Sequence, residues 1–377
     1  MSSSSNLPSV DVADFVEIVK MQLEERNFRP IFGLGKGGIG KTESIEELAH
    51  ELGIGYIDIR LLLYSETDLK GIPYPNAEHT KTVWLENNIL PNAERDGDKG
   101  ILVFDEITSC NRSVRTAAYQ LLNERRLGEY VLPKDWLVVC LGNGEDDGGD
   151  FQGMEGNFAN RCSVFNVVPN VDAWKNWAFN NGVNPLVTGY ISFKPSDLHS
   201  YNPESETEIL FASPRSWTAV SNILNTHEYN DKDTILHSRI IANLGQRVGQ
   251  QFIAFCKFKD KTVEPMDILE KGETPEIDNT EILYITIQSV VKIMGDNIVN
   301  DYETTKEFSE KTLDMVANGL RWLFGLKVEY AAMGFKDLVA YGSKHENAVQ
   351  RIVMSPELNE KCPELKKFAH DNIEVFK

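Results

Sequence analysis

Cysteine is scarce in this chain. The five present, Cys110, Cys140, Cys162, Cys256 and Cys362, are an odd number and stand singly. Without Cys-x-x-Cys spacing they suggest neither a disulfide framework nor a zinc site, and they read as packing residues. Long apolar runs are missing too. No stretch approaches the length that crosses a bilayer, and the opening Met-Ser-Ser-Ser-Ser-Asn has neither the basic nor the apolar part of a secretory signal. No membrane partner is expected, and the cytoplasm is the expected location. Positive charge is outnumbered, 38 Lys and Arg against 57 Asp and Glu, for a formal net charge of −19. That balance disfavours a surface built to neutralise a nucleic-acid backbone, although a local basic loop would escape the average, and it favours protein partners. Internal repeats are not visible, and the serines at 2–5 are the only low-complexity run.

What is present is enough apolar residue, 41% of 377, to fill two or three compact units. Strand candidates at 31–34, 56–59, 101–104, 136–141 and 164–168 alternate with helical segments, which predicts an α/β fold with a mostly parallel, doubly wound sheet. Runs such as Ile101-Leu-Val-Phe104 are nearly continuous in apolar residues, as strands covered on both faces are. Ligands bind such sheets at the carboxyl ends of the strands. Beyond Pro169 helical candidates dominate, at 171–180, 214–224, 234–258, 282–298 and 304–326. A helical second domain is therefore expected. The charged, proline-containing segment 260–279 would link it to a helical C-terminal extension.

Gly35-Lys-Gly-Gly-Ile-Gly-Lys-Thr42 fits G-x-x-x-x-G-K-[ST] and lies between a strand candidate and an amphipathic helix. Free backbone N–H groups at a helix N-terminus, the positive end of its dipole and glycines that permit close approach suit a polyphosphate. Cofactor contacts are accordingly assigned to Gly35, Gly37, Gly38, Ile39, Gly40, Lys41, Thr42 and Glu43. Lys41 would reach the β/γ-phosphates and Thr42 would ligate Mg²⁺. The bland alternative is a chance glycine-rich turn.

The strand Ile101-Leu-Val-Phe104 runs into Asp105-Glu106, two acids where the ligand crevice should be. Asp105 would hold Mg²⁺ through water and Glu106 would polarise the water that attacks the γ-phosphate; the alternative is a helix N-cap. A later strand ends in Leu141-Gly-Asn143, so Asn143 would orient that water if the strands are neighbours; otherwise it is a turn residue. Arg161, in Phe158-Ala-Asn-Arg-Cys162, and Arg215, in Ala212-Ser-Pro-Arg-Ser-Trp217, would stabilise phosphate charge, with surface ion pairs as the alternative.

In this order the motifs resemble the AAA+ ATPases, and in detail their MoxR-like branch, over about 27–224. Besides the Walker A loop and the Walker B Phe104-Asp-Glu106, Asp68-Leu-Lys-Gly-Ile-Pro73 is similar to the Asp-Leu-x-Gly segment of MoxR-like proteins. Glu106-Ile-Thr-Ser-Cys-Asn-Arg112 and Leu121-Leu-Asn-Glu-Arg125 resemble the stretch those proteins carry after Walker B. The resemblance implies sensor 1 at Asn143, a trans-acting arginine finger at Arg161 and sensor 2 at Arg215. It also implies a pre-sensor hairpin at 126–131. Two features depart from the pattern: the acidic Asp146-Asp-Gly-Gly-Asp150 and Cys162 after the finger. Arg112, Arg115, Arg125 and Arg126 compete for the trans contact. The loop also satisfies the deviant Walker A of ParA/MinD-type ATPases through Lys36, a match outweighed by the later motifs.

The resemblance implies a P-loop AAA+ core at 25–185 after an N-terminal tail and helix at 1–24, then an α-helical lid at 186–260 and the extension at 261–377. It implies an Mg²⁺-dependent ATPase, with ATP as the nucleotide, in a six-membered homo-oligomeric ring that remodels a protein client. Von Willebrand factor A-type partners are frequent for such proteins. A nucleotide-gated assembly switch with little turnover and a nucleic-acid-stimulated motor stand as alternatives.

Overall fold

The computed structural model describes residues 7–85, 88–144, 160–202, 210–342 and 345–371. They divide into two compact units, one reaching Asn170 and taking in Asn202, the other made of Val171–Tyr201 and the described residues from 210 onward.

The first unit is built on a parallel sheet. Its strands are β1 (Ser9–Val10), β2 (Ile31–Leu34), β3 (Gly55–Arg60), β6 (Lys99–Asp105), β9 (Asp135–Gly142) and β10 (Ser163–Val167). They lie in the order β1-β10-β2-β9-β6-β3, every pair parallel. The helices are α1 (Val12–Glu24), α2 (Lys41–Leu52), α3 (Glu66–Lys70), α4 (Ala93–Asp96) and α5 (Arg112–Glu124). Alternate residues of each central strand enter opposite cores. Ile31, Ile101, Val103, Leu137, Val139 and Leu141 pack with Phe15 and Val19 of α1 and Ile45 and Leu48 of α2. Phe32, Leu102, Phe104, Val138 and Cys140 pack with Val114, Ala117 and Leu121 of α5. Helices on both faces explain the unbroken apolar runs, since neither face meets water. Each fully buried Leu, Val or Phe contributes about 1.5–3 kcal/mol, so this double core holds the carboxyl ends of the strands in fixed register.

Two hairpins leave the sheet. One is β4 (Ile72–Pro75) with β5 (Thr82–Leu85), a pair the sequence reading did not anticipate. The other is β7 (Arg126–Leu127) with β8 (Tyr130–Val131), the expected hairpin, turning at Gly128 with φ 60°.

The second unit is helical. One core gathers Trp217, Val220, Phe252 and Tyr190 of the helices Pro185–Phe193, Pro214–Thr226 and Gln246–Cys256. The other surrounds the helix Thr280–Thr305 with the helices Glu310–Gly325, Val328–Ala340 and Ala348–Met354. By length and composition Thr280–Thr305 is apolar enough to cross a membrane, yet more than half of its apolar window is buried in the unit, as a core helix is. Helix Val171–Asn180 belongs to this unit: its buried Lys175 donates to Asp337 at 2.6 Å, and Gln288 donates to the same oxygen at 2.7 Å. The expected helix 234–258 is two, Thr234–Leu244 and Gln246–Cys256, because Gly245 takes φ 78° and breaks the run. The expected helix 304–326 starts only at Glu310, where Ser309 accepts from the Thr312 N–H; the preceding helix ends at Lys306 with φ 59°.

Candidate nucleotide site

The loop between β2 and α2 is fastened at both ends and in the middle. Gly35 N–H donates to the Gly142 carbonyl at 3.1 Å, so the loop begins tied to the end of β9. A Cβ on Gly35 would stand 2.1 Å from the Val167 oxygen, leaving room for hydrogen only. Gly38 (φ 77°) and Gly40 (φ 95°) turn the chain through the left-handed region and start α2 at Lys41. Ile39 is buried beneath the loop in the core of α1 and α2. Lys41 is 8% exposed, and its Nζ donates to the carbonyls of Gly35 at 2.6 Å and Lys36 at 2.8 Å. Its ammonium therefore lies against the loop it follows. Glu43 is exposed in the first turn of α2.

The acids meet this loop across the sheet. Thr42 Oγ1 donates to Asp105 Oδ2 at 3.2 Å, and Asp105 Oδ1 accepts the Glu106 N–H at 2.9 Å. Glu106 itself has φ 55°, a conformation costly for a side chain with a Cβ and one that recurs at functional sites. Its carboxylate has a cation at hand: Arg60 Nε lies 3.8 Å from Glu106 Oε1. Both side chains are partly in water, so the pair orients more than it stabilises. Asp58, two residues earlier on β3, has its carboxyl pushed up to about 6 by burial and by the charge of Asp105, with Arg60 opposing.

Sheet order decides what Asn143 can do. β9 lies between β2 and β6, so the residue after it falls between the glycine loop and the acids. The side chain is there: Asn143 Oδ1 is 3.9 Å from where a Cβ on Gly37 would sit. Glycine loop, Lys41, Thr42, Asp105, Glu106 and Asn143 thus converge on one crevice at the carboxyl ends of the strands. The residues fit a magnesium-bound nucleoside triphosphate. Main-chain N–H groups and a lysine offer themselves to phosphate, and one hydroxyl with one carboxylate offers a hard cation two oxygens, the remainder being left to phosphate and water. Among the described residues no cluster of three or more His, Cys, Asp or Glu forms a metal cage, in keeping with that sparse donor set.

Arg161 is not gathered into this crevice. Arg161 is exposed, without a hydrogen-bond or ion-pair partner among the described residues, two residues before Ser163, which pairs with Ile31 at the start of β2. The glycine loop begins at the other end of β2. At about 3.3 Å per residue that strand alone separates them by about 13 Å, beyond the reach of the side chain. Arg125 is fixed elsewhere: its guanidinium donates to the carbonyls of Pro133 (2.8 Å), Lys134 (3.1 Å) and Trp136 (2.9 Å) and covers the Phe28 ring. That arrangement makes it a structural clamp. Arg115 is buried in α5, Arg112 begins that helix, and Arg126 is exposed on β7. Arg215 is exposed in the second unit at the start of helix Pro214–Thr226, after its Ser213 cap. The acidic segment 146–150 and Phe158 lie outside the described residues.

Sequence reading missed Arg60 and Asp58. The available signal was a charged residue at the carboxyl end of the edge strand, beside the register partner Asp105.

Residues 30–156 match the family model described as AAA domain, dynein-related subfamily. No curated protein matches the chain. Among solved structures, a putative ATPase from Cytophaga hutchinsonii is similar at 14% identity and TM-score 0.32, covering 81% of this chain and 82% of that one. Hsp104 with ATPγS and FITC casein is similar at 17% identity and TM-score 0.36, covering 67% of this chain and 46% of that one. The RuvB Holliday junction branch migration motor of Thermotoga maritima is similar at 12% identity and TM-score 0.30, over 92% and 89%.

Proposed function

We propose that the protein is a magnesium-dependent ATPase that works as a ring of identical subunits, six as in the MoxR-like proteins it resembles. It would operate in the cytoplasm and spend the hydrolysis cycle on remodelling a protein client, with a von Willebrand factor A-type protein as the partner to test first. The observation that carries the ATPase reading is the Thr42 hydroxyl on Asp105 beneath a glycine loop that already holds Lys41.

Bound magnesium would supply charge neutralisation on the β- and γ-phosphates, held by Thr42 and Asp105. The loop amides and Lys41 bind and orient the triphosphate at the α2 N-terminus. Glu106 accepts the proton of the attacking water, with Arg60 beside its carboxylate. Asn143 supplies an uncharged amide that orients that water without competing for its proton. Arg161, beyond reach of its own loop, is assigned to the γ-phosphate of a neighbouring subunit, where a guanidinium stabilises the charge of the transferring group. Arg215 keeps the phosphate-sensing role given by the resemblance. The formal net charge of −19 supports a protein client over a nucleic-acid track.

The test is magnesium-dependent phosphate release under multiple turnover. Lys41→Ala should weaken nucleotide binding and turnover together, whereas Glu106→Gln should bind normally and not turn over. A wild-type protein that binds ATP without releasing phosphate would leave the assembly switch in its place.

A further inference from the structure

Arg29 holds the backbone on both sides of Arg161. It lies two residues before β2, far from Arg161 in sequence, and its Nη2 donates to the carbonyls of Asn160 at 2.7 Å and Cys162 at 3.0 Å. These are the carbonyls on either side of Arg161. One guanidinium nitrogen therefore ties down the backbone before and after that residue. Two more anchors act on the same segment: Ser163 N–H donates to the Pro30 carbonyl at 2.9 Å, and the Cys162 side chain is buried in the core beneath the sheet. Within 160–163, Arg161 is exposed and without a partner among the described residues. Such a pattern, a fixed backbone under an exposed cationic side chain, is how a group is held ready for a ligand outside its own fold. Ordering the segment in advance removes the entropy of ordering it on contact.

We infer that Arg29 is a positioning residue for catalysis in trans: it presents Arg161 to the nucleotide of the neighbouring subunit and touches no nucleotide itself. The inference rests on the reading of Arg161 as the trans arginine. Guanidinium suits the task because its planar fork can serve two carbonyls at once, which a lysine ammonium does with less geometric control. Arg29 also stands immediately upstream of the strand that feeds the glycine loop, so a subunit's own phosphate cradle and the arginine it offers its neighbour share one anchor.

The experiment is a complementation test with phosphate release as the readout. Arg29→Ala should lower kcat at least about tenfold while leaving the KM for ATP unchanged, because the subunit's own loop is intact. Arg29→Lys should lose less. Mixed with Glu106→Gln, which brings a sound Arg161, Arg29→Ala subunits bring a sound Glu106, and activity should return. Mixed with Arg161→Ala, both lack the same side of the interface, and no activity should return. Hydrogen exchange should quicken at the amides of 161–163 in Arg29→Ala and stay unchanged through 35–42. A merely structural loss would raise exchange in both stretches and would not be rescued by Glu106→Gln subunits. Full activity in Arg161→Ala would overturn the trans reading and this inference with it. Reduced activity in Arg161→Ala with wild-type kcat in Arg29→Ala, or with a double variant much worse than Arg161→Ala, would overturn the role of Arg29 alone.

Discussion

Two glycines of one loop should respond very differently to the same methyl group. In Gly35→Ala the new Cβ meets the Val167 oxygen at 2.1 Å, and since ordinary contact begins near 3.4 Å, one side must give way by about 1.3 Å. Both sides are backbone: Val167 ends β10 inside the sheet, and Gly35 is bound through its N–H to Gly142 at 3.1 Å and through its carbonyl to Lys41 at 2.6 Å. Overpacking of this kind costs about 1–3 kcal/mol, and a lost loop hydrogen bond adds about 1 kcal/mol. A loss of about 2–4 kcal/mol in a unit of this size lowers Tm by roughly 5–15 °C. Displacing the cradle by an ångström also misplaces the phosphate-binding amides, so affinity for a fluorescent ATP analogue should fall at least about tenfold. Gly37→Ala is the control. Its Cβ would find only Asn143 Oδ1, at 3.9 Å, and its backbone is not in the left-handed region, so its melt should stay within about 1 °C of wild type. Equal melting of the two variants by calorimetry would refute the packing argument for the loop.

Other substitutions separate the remaining roles. Glu106→Gln should lower kcat by about 10²–10⁴ with unchanged nucleotide affinity, measured by phosphate release and analogue binding; unchanged hydrolysis removes Glu106 as the base. Arg125→Ala should cost about 2–3 kcal/mol by chemical denaturation, because it strips a guanidinium from three carbonyls, while the folded variant should keep a kcat near wild type, since its Glu106 and Arg161 are untouched. Asp58→Asn should stabilise the protein in a pH-dependent way. A carboxyl held above its ordinary 3.8, at about 6, weakens the fold only when charged. That cost is absent below 3.8, grows through the window and is complete above about 6, so the variant's gain in Tm should appear across that range and vanish in acid.

The crevice between glycine loop and acids was largely legible because its parts are local. The run 31–34 and the helix 171–180 follow directly from apolar pattern, and the acids at 105–106 sit where a covered strand stops being apolar. What placed Asn143 between the loop and the acids was the insertion of β9 between β2 and β6, a pairing across more than a hundred residues that no local pattern states. Arg125 and Arg29 show the same limit. Their partners are main-chain carbonyls, which every residue has, so neither the clamp at 133–136 nor the one at 160–162 leaves a mark in side-chain chemistry. The hairpin of β4 and β5 was hidden for a different reason. Pro73 and Pro75 argue against a strand, and Ile72, Tyr74 and Leu85 remain exposed where burial would ordinarily justify them.

A catalytic centre shared between two copies of the chain is the central claim. Mixing Glu106→Gln subunits with Arg161→Ala subunits and measuring magnesium-dependent phosphate release tests it most directly. Each variant alone should be nearly inactive, and the mixture should recover activity, because the interface that joins a sound Glu106 to a sound Arg161 is complete. A mixture no more active than its two components, under conditions where mass measurement shows mixed oligomers, would contradict it.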